Sequence, residues 1–413
     1  MRLSPDEAIR CHHHLFRKIA SPAAANSGLE SQRARHCAAL ANAVTSQVAG
    51  SKASFVRSYE HGEDESRLPA GLASSAFVYD NALAVIALVA CRNFSSATMV
   101  GNALSFAARN DRTFSDGRVR NAYRAGTVGE GTPALPGWWD DNQKIWAEDP
   151  AQDGTSTGNV AWVALALLTL YEATNDPSYL ADAERLTDWV IANVSSGRGF
   201  RGGFHGYDPQ QVRLTWISTE HNVDVYAVAA WLFRLTGKPK YAEAASEARQ
   251  FLERAFDVDH FLLGTKPDGS LADPSMLALD VQLWPWMAIP DAPAQWRSAL
   301  NFAATHLTVK DGFDFNGDRD GMWVEGTAQA SLAYRIAGDP LRSTQLLTPL
   351  EADRTPSGFL YATRTARVST GLSIDPTKTE ADFFYFKRPH LGATAWATLA
   401  ATAWNPFTGR KVD

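Results

Sequence analysis

Two stretches of this chain repeat each other, and that repeat limits the fold more than any other feature. STGNVAWVALALLTLYEATNDPSYLADAERLTDWV starts at Ser156, and STEHNVDVYAVAAWLFRLTGKPKYAEAASEARQFL starts at Ser218. The serines match at an offset of 62 (218 − 156), and Tyr179 and Tyr241 match at the same offset (241 − 179). A period of that size holds two helices and their connections.

The two helices of each unit differ in kind. Val160 to Tyr171 is apolar on every side, so it must be enclosed on every side. Tyr179 to Val194 carries Leu180, Ala183, Leu186, Trp189, Val190 and Val194 on one face and Asp182, Arg185 and Asp188 on the other, the pattern of a surface helix. Val223 to Leu235 and Tyr241 to Phe256 repeat the contrast, and Asn175-Asp176-Pro177 and Gly237-Lys238-Pro239 supply the turns. An enclosed helix followed by an amphipathic one, repeated, describes two concentric rings. Further enclosed stretches at Phe77–Ala90, Met276–Ala288, Trp323–Tyr334 and Leu391–Ala403 bring the inner starts to six, with a seventh still open. Helices over 5–20 and 29–49 would complete the outer ring. The expected fold is therefore all-α, a toroid of helical hairpins over residues 1–413 as one domain, because toroids grow by adding hairpins around one axis. Two long Gly/Pro-rich insertions, 110–158 and 351–388, interrupt it and have room for short β-hairpins.

Composition excludes several classes. A net charge of −6 gives no basic footprint for nucleic acid. No run of 18 or more apolar residues free of charge appears, so no membrane span is expected. Cys11, Cys37 and Cys91 are odd in number and match no CxxC pattern, which speaks against a disulfide framework or a cysteine zinc site. His12 to His14 read as turns of a solvated helix face. The N-terminus reads as an amphipathic helix: the protein is cytoplasmic, or periplasmic or secreted if a leader was trimmed. The oligomeric state is not legible.

Polar residues on the enclosed helices should be rare, because burying a charge is costly. They cluster at the helix starts: Asp80 in FVYDNALAV, Asn159 in TGNVAWV, Glu220, His221, Asn222 and Asp224 in STEHNVDVY, Asp280 in LALDVQLW, and Glu325 in MWVEGTAQ. In a ring of antiparallel hairpins all inner helices begin at one rim, so these acids would face one opening. Each acid alone is most simply an N-cap or a dipole partner. Four of them, each leading an apolar inner stretch, are harder to explain that way.

These phrases, with YDNALAVIAL and GATAWATLAATAWNPF, carry a resemblance over about residues 70–405. The chain resembles the six-hairpin, (α/α)6-barrel glycosidase superfamily, which includes endoglucanases, β-1,2-glucanases and unsaturated-glucuronyl hydrolases. The resemblance implies an inverting hydrolase of a poly- or oligosaccharide, with acids at the inner-helix N-terminal rim and no metal or other cofactor. Glycosidic cleavage needs one protonated carboxyl and one carboxylate. Glu325 is the preferred acid, since Met322, Trp323 and Val324 make its surroundings apolar. Asp80, Glu220 and Asp280 are candidates for the base. His221, Asn222, Asp224 and Tyr226 are candidates for sugar contacts, and Trp138, Trp139, Trp146, Trp216, Trp284, Trp286 and Trp323 for ring stacking. Of these, Trp138 and Trp139 in PGWWDD are the best placed for exposure.

Three motifs are decoys. Gly154-Thr155-Ser156-Thr157-Gly158 lacks the strand that a nucleophile elbow needs. Gly197, Gly199 and Gly202 follow a helix, where a dinucleotide loop follows a strand. Asn316-Gly317-Asp318-Arg319-Asp320-Gly321 resembles a calcium loop, but Glu325 falls at position 10 of it rather than 12, so a solvated turn is the simpler reading. Two rival functions remain in view. A polysaccharide lyase could use His221, Asn222 and Tyr226, though acidic helix starts suit a neutral glycan better. A non-catalytic toroid could bind glycan within a biosynthetic assembly.

Overall fold

The computed structural model describes residues 22–46, 51–60, 68–129, 131–375 and 378–413, so the expected 5–20 helix and His12 to His14 lie outside the described residues. Thirteen helices follow in chain order: α1 Pro22–Ser46, α2 Val78–Ala90, α3 Phe94–Arg109, the single turn α4 Pro150–Asp153, α5 Thr157–Thr174, α6 Pro177–Val194, α7 Thr219–Thr236, α8 Pro239–Ala255, α9 Leu279–Ala288, α10 Ser298–His306, α11 Val324–Ile336, α12 Pro340–Leu347 and α13 Leu391–Thr402. The inner helices α2, α5, α7, α9, α11 and α13 pack each on the next, and α13 returns to α2. Each inner helix has an outer mate: α3, α6, α8, α10 and α12 follow their partners in sequence, and α1 covers α13. This is an (α/α)6 toroid with six inner helices, as the repeat implied.

The sequence reasons for the hairpins hold for the apolar faces, but Asp182, expected on the outer face of α6, is buried and bonded to Ser105 and Arg109 of α3. In α5 every residue from Val160 to Leu170 is buried, whereas α6 buries Tyr179, Ala183, Leu186, Trp189, Val190 and Val194 and keeps Arg185 outside. Asn175 ends α5 in the left-handed region (φ 58°), and Asp176 then caps α6 by accepting from Ser178 N at 2.9 Å, with Pro177 at its first position.

Among the described residues β-structure is limited to short ladders, most of two strands, lying between the helices. Several lead directly into an inner helix: Ser75–Phe77, Thr155–Ser156, Val212–Ile217 and Pro389–His390 precede α2, α5, α7 and α13. The insertion at 110–158 is held by a buried guanidinium. Arg120 binds Asp111 and Asp208 at 2.6 Å and also bonds Asp153, tying the insertion to the hairpin of Arg201–His205 and Val212–Ile217. Gly197 and Gly199 form a turn leading into that hairpin, and Gly202 lies within its first strand.

One expectation is corrected. Cys37 on α1 and Cys91, which follows α2, form a disulfide with Cα atoms 5.7 Å apart. The odd cysteine count concealed it, because the two residues meet only where α1 closes the ring.

A recurring contact sets where the inner helices begin. The fourth residue of five of them turns its polar side chain outward to a passing extended segment and completes that segment's backbone hydrogen bonds. Asn81 accepts from Val56 N (2.8 Å) and donates to Val56 O (2.9 Å). Asn222 does the same with Phe200 (2.9 and 3.0 Å), and Gln282 with Phe261 (both 2.8 Å). Thr327 accepts from Phe313 N at 3.0 Å, and Thr394 from Leu360 N at 2.9 Å. In α5 the fourth residue is Val160, and Asn121 stands in, accepting from Ser156 N (2.7 Å) and from Asn159 (2.8 Å). These groups are buried, so an unmet partner carries its full desolvation cost.

Asn222→Ala strands the N–H and C=O of Phe200 and should destabilise the protein by about 2–4 kcal/mol. Denaturant unfolding measures this, and a loss below about 0.5 kcal/mol would show that the clamp does not hold the rim.

Candidate active site

Because the six inner helices start at one level, equivalent positions form layers. The second residues are Tyr79, Gly158, Glu220, Asp280, Glu325 and Gly392. Three successive helices thus carry acids, and the opposite side of the ring carries two glycines and a tyrosine. One turn down, at i+4, lies the sixth-residue layer, with Trp162, Asp224, Trp284, Gln329 and Trp396. Trp162, Trp284 and Trp396 come from alternate helices and meet across the axis, with ring centroids 5.4–5.9 Å apart. Phe407 from the C-terminal tail packs against Trp162 and Trp284 at 5.2 and 5.4 Å. The axis is therefore filled beneath the acids, and the site has an aromatic floor.

Two of the acids meet beside a histidine. Asp80 and Glu325, from helices on either side of α13, offer oxygens within 4.8 Å of one another and of a His390 ring nitrogen. His390 caps α13, its Nδ1 accepting from Ala393 N at 3.2 Å. Its Nε2 lies 3.6 Å from Asp80 and its Nδ1 3.7 Å from Glu325. The two carboxylates approach different ring nitrogens, one of which is already committed to the cap, so the trio suits a shared proton better than a metal ion. Space for it comes from Gly392, where an added Cβ would stand 2.6 Å from both Asp80 Oδ1 and Glu325 Oε2.

The surroundings of Glu325 are lopsided. Oε1 accepts from Tyr79 Oη at 2.8 Å and from Gln329 Nε2 at 3.3 Å, while Oε2 is buried without a hydrogen-bond partner. Burial pushes its carboxyl up to about 8; His390 and the Tyr79 hydrogen bond oppose this, and Asp80 and Asp280 add to it. Asp280, raised by burial but held back by backbone N–H groups including Val281 N at 2.7 Å, reaches only about 6. Glu220 keeps a solvent-facing edge and has no hydrogen bond among the described residues; burial, then Asp280 and Glu325, push it well above the usual carboxylate range. In this row of three, Asp280 takes the first negative charge. Burial drives His390 down, but Asp80 and Glu325 outweigh it and its ring is raised.

The remaining candidates are sorted by contact. Asp224 lies in the floor layer, fully buried, with neither oxygen hydrogen-bonded; burial first, then Glu220 and Asp280, raise it well above the ordinary range. The Trp162 indole faces it and opposes that rise without closing to a hydrogen bond. His221, lowered by burial to about 4, is neutral and leans over Gly158 beside Trp216. Asn222 is not free for sugar, because its amide is spent on Phe200 and Ser218 O. Tyr226 faces Arg249 and Asp291 on the outer layer, away from the acids. Trp284 belongs to the floor, and Trp323 is buried under Tyr385 (5.3 Å). Trp286 is partly exposed and leaves its indole nitrogen unpartnered. Trp138 packs on Gly71, while its hairpin neighbours Trp139 and Trp146 stand open, 53% and 47% exposed.

Sequence reasoning missed Tyr79, His390, Gln329, Gly392 and Tyr385. Tyr385, on the 351–388 insertion, lies 5.9 Å from the His390 ring. In the calcium-like loop, oxygens of Asp314, Asp318 and Asp320 come within 4.8 Å of one another, but each residue already accepts backbone N–H groups, of Phe315, Asp320 and Ser369 respectively. Even so, burial first, and then Asp320 and Asp318, push the Asp314 carboxyl up to about 7.

No protein-family model matches this chain, and neither does any curated protein. Solved structures do. A glycosidase, determined as wild type and in variants including one with glucose, is 12% identical with a TM-score of 0.61, over 91% of this chain and 96% of that one. A GH76 alpha-mannanase from Bacteroides thetaiotaomicron is 14% identical with a TM-score of 0.56, over 90% and 95%. A sugar epimerase from a ruminal bacterium is 14% identical with a TM-score of 0.60, over 91% and 98%. At such identities the likeness is one of fold, and it agrees with the toroid described above.

Gly392→Ala tests the convergence directly. In an unobstructed helix the change is mildly stabilising, by about 0.5–1 kcal/mol. Here it should destabilise by about 1–3 kcal/mol, since backbone-fixed Cβ and two carboxylates compete for one volume. Gly28→Ala, on α1 with nothing within 4 Å, is the control. Equal stability of the two variants would disprove the crowding.

Proposed function

We propose that this protein is a glycoside hydrolase acting on a neutral poly- or oligosaccharide, with Glu325 as general acid and Asp280 as general base. The observation that carries the reading is the lopsided carboxyl of Glu325. One oxygen receives two donors and the other is left over, so a proton on this buried acid belongs on Oε2, on the side shared with Asp80 and His390. Asp280 starts the next inner helix and is the acid of the row most readily ionised, which suits activation of water. Asp80, with an oxygen within 4.8 Å of Glu325, stands closer than the roughly 6.5–9.5 Å that an inverting pair leaves for water, so its part is to hold the proton on Glu325 by like-charge repulsion. Glu220, open to solvent, is placed to bind sugar hydroxyls. The concentration of carboxylates disfavours an anionic glycan. That the similar folds include a glycosidase and an alpha-mannanase supports the general reading as a glycoside hydrolase.

In the reaction Glu325 gives its Oε2 proton to the leaving glycosidic oxygen as the C–O bond breaks. Asp280 takes a proton from the water that attacks the anomeric carbon from the opposite face, and the anomeric configuration inverts. Asp280 must be ionised and Glu325 protonated. Activity therefore rises as pH passes about 6 and falls as it passes about 8.

A panel of polysaccharides assayed for new reducing ends identifies the substrate, and proton NMR of the first-formed anomer reads the stereochemistry. Glu325→Gln should lose roughly 10²–10⁴-fold on the natural glycan yet keep far more activity on an aryl glycoside whose leaving group needs no proton. Asp280→Asn should lose activity on both. Full activity of Glu325→Gln on the natural glycan would refute the assignment.

A further inference from the structure

The mechanism above uses the carboxyl of Glu325 but leaves the tryptophan floor as mere filling. The hydrogen bonds between them have a direction that side-chain chemistry alone decides. An indole N–H donates and has no lone pair to accept with. Trp396 Nε1 lies 2.8 Å from Tyr79 Oη, so Tyr79 is the acceptor there. The phenol's one proton is then free to point the other way, to Glu325 Oε1 at 2.8 Å. Trp284 Nε1 lies 3.0 Å from Gln329 Oε1, which fixes the amide with its oxygen towards the indole and its NH₂ towards Glu325 Oε1. Two chains starting from separate inner helices thus converge, with the same polarity, on one oxygen of one carboxyl.

We propose that the floor is a polarised donor relay, in which Trp396 through Tyr79 and Trp284 through Gln329 position the acid proton of Glu325 on Oε2 and set its affinity for that proton. The proposal deepens the hydrolase reading and shares its active site, but the relay is testable without turnover. Trp284, Trp396 and Gln329 are positioning residues; they lie under the carboxyl and act only through it. Both chains stabilise the ionised form of Glu325, so removing a donor makes the acid hold its proton more tightly. Chains of hydrogen bonds strengthen one another, so deleting a distal indole should be felt at the carboxyl even though Tyr79 or Gln329 remains. Other titratable groups face Glu325 as well: Asp80 from α2, Glu220 from α7, Asp280 from α9, His390 at the cap of α13, Tyr59, and Tyr385 from the hairpin over the site. All are left intact in the variants.

The experiment is a carboxyl ¹³C NMR titration of the full-length protein labelled at glutamate, with the Glu325 resonance assigned by its loss in Glu325→Gln. Wild type should titrate near 8. Tyr79→Phe should move the midpoint up by roughly one pH unit, the size expected for losing one hydrogen bond to a charged group. Trp396→Phe and Trp284→Phe, which keep an aromatic ring in the floor, should each move it up by a smaller, resolvable amount. A floor that only fills space predicts no shift in the two tryptophan variants, or shifts of either sign that follow their loss of thermal stability. Either result overturns the relay, as does an ordinary carboxylate midpoint in wild type. If the midpoints move as stated while no glycan is cleaved, the relay stands and the hydrolase reading falls. If an active enzyme is found, the basic limb of its kcat profile should shift with the same rank order and KM should stay put.

Discussion

The whole arrangement depends on buried backbone having to be paired. Extended segments pass behind the inner helices at the rim, and the residues Val56, Phe200, Phe261, Phe313 and Leu360 would have unmet N–H groups there. One polar side chain at the fourth position of five of the six inner helices answers them, and Asn121 stands in at α5. That contact fixes the height at which each helix begins. With the heights equal, the second and sixth positions become layers, and the chemistry of the protein is decided by what occupies two rings of six positions.

Much of this could be read from the sequence. Burial on all sides is written in VAWVALALL and amphipathy in YLADAERLTDWV, and the two alternate often enough to give six hairpins. The acids were legible too, because a charge at the head of an apolar helix is conspicuous. Aligning the inner starts would have shown more. Asn81, Asn222, Gln282, Thr327 and Thr394 share one column, and Tyr79, Gly158, Glu220, Asp280, Glu325 and Gly392 share another. Read singly, Asn222 passed for a sugar ligand because its neighbours Glu220 and His221 face inward. A helix turns about 100° per residue, so adjacent polar residues serve different surfaces.

What stayed hidden depended on partners far apart in the chain. His390 precedes an apolar run with no acid in sight, and it meets Asp80 and Glu325 only because the last inner helix lies beside the first. Glycine has no side chain to advertise it, yet Gly392 makes the room in which those groups meet. The pairing of Cys37 with Cys91 is likewise a product of ring closure. Local pattern specifies helices well, but contacts across a closed ring are fixed by the sum of all its hairpins.

The same closure has a bearing on biosynthesis. The first described helix, α1, covers α13, which is synthesised long after it, and Phe407 follows α13. Until α13 has been made, Ala39, Leu40, Ala43 and Val44 lack much of the surface that finally buries them. The nascent chain thus carries an apolar stripe until α13 emerges, a standing invitation to chaperones and to neighbouring nascent chains. The ring closes only once α13 has emerged and met α1.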